Sequence, residues 1–356
     1  MKTKYYSPAD FIKSSKYDVH THYHTFDDFF LRKAKKANIR ILSINTNFDF
    51  PIDTQFEICQ YLHKRHPETF NFLCTFDATA ISSKTFAENS VEHIQKCVAA
   101  GARGVKIWKN IGMALKNDAG QYVMADDPVF APIFAYIEKE KIPLMAHLGE
   151  PRNCWLPLEQ ITINDDRDYF SNNPNYHMYL HHEAPSYEQQ IEVRDRILER
   201  YPDMIFIGAH LGSMEWSFEE LAKRLDRFPN FYVDLSGRFA HIFEHTIQNR
   251  KCVIDFFQTY QNRILYGTDN FVFPSDRRKY INFFYKYFHS VYLNLFYRRA
   301  YQPLKKHWMF LATDKIIETG KINNESESPD RIKGLRLSKD IVDRIFYENA
   351  IRLLKF

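Results

Sequence analysis

The sequence lacks the features that mark several common classes of protein. It has five cysteines, Cys59, Cys74, Cys97, Cys154 and Cys252, an odd number with no CxxC pair among them. That argues against a disulfide framework or a zinc-finger site and fits reduced thiols in a cytoplasmic protein. No apolar run is long enough to cross a bilayer. The opening MKTKYYSPADFIKSSKYD has no apolar h-region, so no signal peptide is expected. Charge is nearly balanced, with 48 basic against 44 acidic residues, so neither nucleic acid nor membrane is an expected partner. A glycine-rich phosphate loop after the first apolar run is also absent.

What is present is an alternation. Eight short apolar runs, rich in Ile, Val, Leu, Phe and Tyr, read as strands. They are YDVHTH (17–22), IRILSIN (39–45), FNFLCTF (70–76), RGVKIW (103–108), IPLMAH (142–147), MIFIGAH (204–210), FYVDLS (231–236) and RILYGTD (263–269). Helix-like stretches lie between them, among them 91–102, 126–141, 186–202 and 214–229, the last two stopping at prolines. Eight strands alternating with helices predict an α/β fold, a (β/α)8 TIM barrel, with a doubly wound sheet as the alternative. A chain of 356 residues fits one such domain, with a core over about 17–270. Two segments depart from the repeat. One is an insertion over 148–186, carrying Trp155 and the cluster His177, His181, His182 and Glu183. The other is a helical C-terminal extension over 270–356. Its stretch 276–308 is basic and aromatic, and is expected to cover the barrel or join a second copy as a homo-oligomer. The final SKDIVDRIFYENAIRLLKF offers Ser338 as a helix cap.

Polar residues recur at the ends of these apolar strands. Simple alternation puts Asp18, His20 and His22 on one face of the first strand. His147 ends the fifth, His210 the sixth and Asp269 the eighth, while Lys106 lies within the fourth. Barrel active sites are built at the C-terminal ends of the strands. Each feature alone has a duller account, such as a hydrogen-bonded histidine or a turn aspartate. Together, imidazoles and a carboxylate in a closed space are costly unless a cation satisfies them. Such ligands suit zinc, with manganese or iron as alternatives. The metal would lower the pKa of its water to about 7, and Asp269 would move the proton. His24 shares parity with His20 and His22 and reads as a loop histidine lining the pocket.

The motifs DVHTH, GVKIW, MAHLGEP, GAHLGS, YGTD and ENAIRLL resemble the amidohydrolase superfamily. More narrowly they resemble the amidohydrolase-related branch that contains aminocarboxymuconate-semialdehyde decarboxylase-like enzymes. The resemblance runs from about residue 17 to the C-terminus, least securely in the two insertions. It implies one divalent metal on His20, His22, His147 and Asp269, with His210 and Asp269 as the catalytic pair. It also implies a conditional second metal, bridged by carboxylated Lys106 with His210. Glu150, Trp108, Lys109, Arg152, Trp155, His182 and Arg238 are the expected substrate-binding residues, with the cations suited to an anionic small molecule. The expected activity is hydrolysis of an ester, lactone or amide. Decarboxylation of an unsaturated or aromatic acid is the alternative, and a non-catalytic scaffold the second alternative.

Overall fold

A computed structural model of the chain describes residues 4–47, 50–273, 297, 300–323 and 329–355. All eight expected strands form, several of them shorter than their apolar runs. They are β1 (Lys16–Tyr23), β2 (Ile39–Ile44), β3 (Phe70–Leu73), β4 (Val105–Ile107), β5 (Leu144–Ala146), β6 (Phe206–Gly208), β7 (Phe231–Asp234) and β8 (Ile264–Leu265). A ninth strand, β9 (Asn270–Val272), pairs in parallel with the end of β1. Strands β1–β3 and β4–β8 pair with their chain neighbours, all in parallel. The two sheets meet at a Cys74–Val105 bridge, and the Val19 N–H donates to the Tyr266 carbonyl at 3.0 Å. The ladder is interrupted at these seams. The strand order follows the chain without the reversal that a doubly wound sheet requires, so the (β/α)8 reading holds and its alternative is set aside.

The helices between β1 and β8 include α1 (Phe29–Lys36), α2 (Ile52–Arg65), α3 (Phe86–Ala99), α4 (Ala131–Lys139), α5 (Asn164–Asn172), α6 (Tyr187–Arg200), α7 (Phe218–Arg227) and α8 (Phe239–Thr259). Local chemistry explains the best-anticipated ones. Ser186 and Gln189 close a reciprocal capping box on α6, and the Ser217 hydroxyl accepts the Glu220 N–H at the start of α7. Helices α1 and α2 and the long α8, which is broken at Asn249, lacked so clear a pattern. Ser338 occupies the N-cap position of the helix Lys339–Asp343, but its side chain makes no capping bond.

Two apolar layers divide the barrel. Phe70, Phe72, Val105, Ile107, Phe206, Phe231 and Val233 pack outward against helices. Tyr17, Val19, Leu42, Ile44, Leu73, Met145, Ile207 and Leu265 form the inner layer, together with Ala350, Leu353 and Leu354 of the last helix. The Asn349 amide anchors that helix by donating to the Ile264 carbonyl at 2.8 Å. This helix therefore seals the end of the barrel opposite the strand C-termini.

The expected alternation in β1 needs a correction. Asp18 pairs with Ile41, and Thr21 with Ser43, so β1 takes three steps where β2 takes two. This β-bulge reverses parity. Tyr17 and Val19 face the inner layer, and after the bulge His20 and His22 do so too. Asp18 does not share their face. Its carboxylate instead accepts the Thr268 backbone N–H at 2.9 Å and the Thr268 hydroxyl at 2.5 Å.

Of the aromatic segment 276–308, residues 276–296, 298 and 299 lie outside the described residues. Nearby, Trp308 is fully buried against Tyr6 and Phe11. Among the described residues no helix is long and apolar enough to cross a membrane. Leu353→Ala removes a buried side chain from the seal and should cost about 2–5 kcal/mol in a urea titration. A loss below about 1 kcal/mol would show that the helix does not close the barrel.

Candidate metal centre

The C-terminal ends of the strands enclose a cavity of about 340 Å3. His20, His22, Lys106, His147, His210 and Asp269 all reach it, as do Glu150, Trp108, Lys109 and Arg238. Its centre is a tight group. The Nε2 atoms of His20 and His22 stand 3.4 and 3.3 Å from Asp269 Oδ1. Two ligand atoms each about 2.1 Å from a tetrahedral ion would be about 3.4 Å apart. The spacing fits a metal of that kind.

Each member of the group is held from behind. His20 donates from Nδ1 to Asp234 Oδ2 at 2.7 Å, which leaves the Nε2 lone pair facing Asp269. This is the carboxylate–histidine arrangement that orients metal ligands. His22 stacks on Phe271 with ring centroids 4.2 Å apart, and its Nδ1 is buried without a partner. Asp269 has a left-handed backbone, φ +64°, fixed by its N–H donating to the His20 carbonyl at 2.8 Å. Burial would raise the Asp269 pKa, but the hydrogen bond from His22 and the nearby His20 and His210 hold it well below the usual carboxylate range. Asp269 is therefore ionised, and burial keeps His22 neutral by lowering its pKa. That is the protonation state a metal requires.

His210 sits on strained backbone. Residues 210–213 run at φ +59°, +58°, +60° and +58°, a left-handed turn in which only Gly212 is at ease. Such residues cost about 1–3 kcal/mol each and cluster at functional sites. The His210 N–H donates to Asp234 Oδ1 at 2.9 Å, and its Nδ1 donates to the Ser236 carbonyl at 2.9 Å. Asp234 thus secures His20 and His210 together. Burial would raise its pKa, but those imidazoles keep it well below its ordinary value.

His147 lines the same cavity, on the side of His210. Its ring lies 4.3 Å from that of His210, but it is not among the atoms that cluster around Asp269. Its Nε2 is buried without a hydrogen bond, 3.6 Å from Glu150 Oε2. Burial, then the positive charges of Lys109, Lys106 and Arg238, push its pKa well below the usual histidine range. Lys106 Nζ is also buried and unpartnered, and burial lowers its pKa to about 8. Among the described residues a second cluster of histidines and carboxylates with metal-ligand spacing is His20, His210 and Asp234. Its own hydrogen bond already uses the His20 Nδ1.

Several expected residues lie elsewhere. Arg152 is exposed, with its guanidinium over Trp216 at 4.5 Å. Trp155 donates to the Pro185 carbonyl and packs on Tyr187. His182 is exposed beside Tyr179. All three fall outside the cavity lining, and the insertion packs on a small core built from its Cys154, Ile161, Phe170 and Met178 together with Met113 from the segment after β4. His24 also leaves the cavity lining. It is buried, stacks on Phe50 with centroids 4.8 Å apart, and neither ring nitrogen has a partner. In their place the insertion contributes Asp165, Asp166, Tyr169, Phe170 and Tyr176. Asp234 and Ser236 were also missed as site residues, although Asp234 is the polar residue at the end of FYVD.

A family model described as amidohydrolase matches residues 79–356. The chain belongs to the amidohydrolase family. Amidohydrolases of this superfamily are metal-dependent enzymes, and the His/Asp group is where this member can hold a metal. The match begins after the histidines of β1, so their placement rests on the geometry above. No curated protein matches the chain by sequence. Among solved structures, an amidohydrolase II is 15% identical with a TM-score of 0.53, covering 96% of this chain and 100% of that one. The 2,6-dihydroxybenzoate decarboxylase from Rhizobium is 15% identical with a TM-score of 0.52, covering 96% of this chain and 99% of that one. A 2,6-dihydroxybenzoate decarboxylase complexed with 2,6-dihydroxybenzoate is 15% identical with a TM-score of 0.51, covering 96% of this chain and 100% of that one. At these identities the likeness is one of fold.

Two outcomes follow from the geometry. Asp234→Asn should weaken metal binding about 10–100-fold in chelator competition by releasing His20; unchanged affinity would remove Asp234 from this role. In the unaltered chain, metal affinity should be level above about pH 6.5 and fall in more acid solution, because protons then compete for the imidazoles. The lowered pKa of His22 places the fall below the ordinary histidine value. Affinity that rose as pH fell would contradict an imidazole site.

Proposed function

We propose that the chain is a metal-dependent lyase that removes carbon dioxide from a small aromatic or unsaturated acid. The observation that carries this reading is the wall around the metal group. Trp108, Tyr169, Phe170, Tyr176 and Phe271 give it flat apolar surfaces. Buried cationic groups stand among them, and Lys106 Nζ and Arg238 Nε have no partner. A planar acid satisfies both, its ring against the aromatic faces and its carboxylate on the free N–H donors. The fold likeness to 2,6-dihydroxybenzoate decarboxylase supports the same class of substrate.

A divalent cation on His20, His22 and Asp269 supplies Lewis acidity and charge for orienting the acid. The protein's own groups do the rest. Arg238 and Lys106 bind the anion, and the rings exclude water from its faces. Asp269 accepts a proton from water or a substrate hydroxyl and returns it to the carbon that carries the carboxylate. The bond between that carbon and the carboxylate then breaks, its electron pair returns to the ring system, and carbon dioxide leaves. His210, with Nδ1 bonded to the Ser236 carbonyl, offers Nε2 to the substrate's oxygens.

A second reading, hydrolysis of an ester, lactone or amide, is favoured by one feature. Asp269 is held ionised beside the group, as a base that deprotonates water must be. A panel of hydroxybenzoates, unsaturated acids, esters and lactones, assayed with zinc or manganese for carbon dioxide and for acid release, separates the two. Carbon dioxide from an acid supports the lyase, and acid release from an ester or lactone replaces it with the hydrolase. Turnover of none of them overturns both. On the acid turned over, Arg238→Gln should raise KM about 10–100-fold, the loss expected for a charge-assisted hydrogen bond. An unchanged KM would remove Arg238 from substrate binding.

A further inference from the structure

Helix α5 presents Asp166, Tyr169 and Phe170 at i, i+3 and i+4, one face of one helix. All three line the metal cavity. Tyr169 meets Lys109 across the cavity, with Lys109 Nζ 3.5 Å from its hydroxyl. Asp166 is buried and points the other way along that wall, toward α8. Its Oδ2 accepts His241 Nε2 at 3.0 Å and the Asn153 amide at 2.8 Å. His241 lies one turn after Arg238, the N-cap residue of α8. Arg238 donates from Nη1 to the Gly237 carbonyl at 2.9 Å and places Nη2 3.8 Å from Glu150 Oε2.

Behind His241 stands Glu215, buried after β6, whose Oε1 accepts the Arg152 backbone N–H at 2.8 Å. Glu215 Oε2, His241 Nδ1 and Arg238 Nε are all buried without partners. Burial would lower the His241 pKa, but Asp166 and then Glu215 outweigh it and hold the ring above its ordinary value. The hydrogen bond between His241 Nε2 and Asp166 Oδ2 joins the inserted helix to the barrel.

We propose that His241 is a positioning residue that determines substrate specificity. Paired with Asp166, it fixes α5 across the cavity, sets the distance of Tyr169 and Phe170 from the metal group, and keeps Arg238 turned toward the substrate's anionic group. The last clause rests on the substrate class proposed above; the tie itself does not. The duller account is a buried ion pair that only stabilises the fold. That account does not explain why the pair joins the one cavity wall built from the insertion to the helix that carries the substrate-facing arginine.

The test uses full-length, metal-loaded protein and the variants His241→Gln, Asp166→Asn and their double. The first readout is amide hydrogen exchange and needs no substrate. Exchange in 164–172 should rise at least tenfold in each single variant, while metal content and the exchange of β1 and β7 stay as in the unaltered chain. The double variant should be no worse than either single one, because both break the same tie. The second readout is kinetic, on the acid turned over. KM should rise at least tenfold with kcat within threefold, and preference should shift toward bulkier acids. Unchanged exchange in 164–172, or additive effects in the double variant, would overturn the tie. Faster exchange with KM and selectivity unchanged would overturn the specificity role. Turnover of no acid on the panel would sink the proposed reaction yet leave the exchange result intact, so the two failures are distinguishable. If His241→Gln fails to fold, Asp166→Asn with the same exchange measurement decides alone.

Discussion

One extra residue in β1 governs the site. A strand that alternated strictly would put His20 and His22 on the face opposite Val19, among the helices. The bulge between the Asp18–Ile41 and Thr21–Ser43 pairs brings Val19, His20 and His22 all to the inside. Val19 then completes the apolar layer that the last helix seals, and the histidines crown it. The same local shift frees Asp18 to grip Thr268, and the Asp269 N–H bonds to the His20 carbonyl. The first and last strands are thus locked together where the chemistry lies.

The carboxylate of Asp234 extends this arrangement around the barrel. It orients the His20 ring through Nδ1 and holds the His210 backbone through its N–H. His210 begins a strained left-handed turn, and strain of that kind persists only where the surroundings over-determine it. Two histidines from distant points in the sequence are therefore set by one buried anion. The cost of burying Asp234 is offset by the donors from His20, His210 and Ser236.

Much of this was legible in the sequence. Eight apolar runs of β-forming residues, separated by helical stretches, specify eight strands because period and composition agree. The cluster at the strand ends was legible for the same reason, since polar residues ending apolar strands have few structural uses. The rest depends on geometry that a linear reading cannot hold. The bulge in β1 is set by pairing with β2, not by the letters DVHTHYHT. The role of Asp234 emerges only when β7 is placed beside β1. Arg152, Trp155 and His182 lie in a segment that packs on a small separate core shared with Met113, so nearness in sequence to His147 did not bring them to the cavity. Asp166 looked like one of several acids in a polar run until α5 turned it inward.

The most direct test is metal stoichiometry, measured by elemental analysis on protein purified without chelator, together with His22→Ala. A single site on His20, His22 and Asp269 predicts about one zinc, manganese or iron per chain, lost in the variant while the fold persists. No metal on purification and no uptake from added zinc, manganese or iron would contradict it.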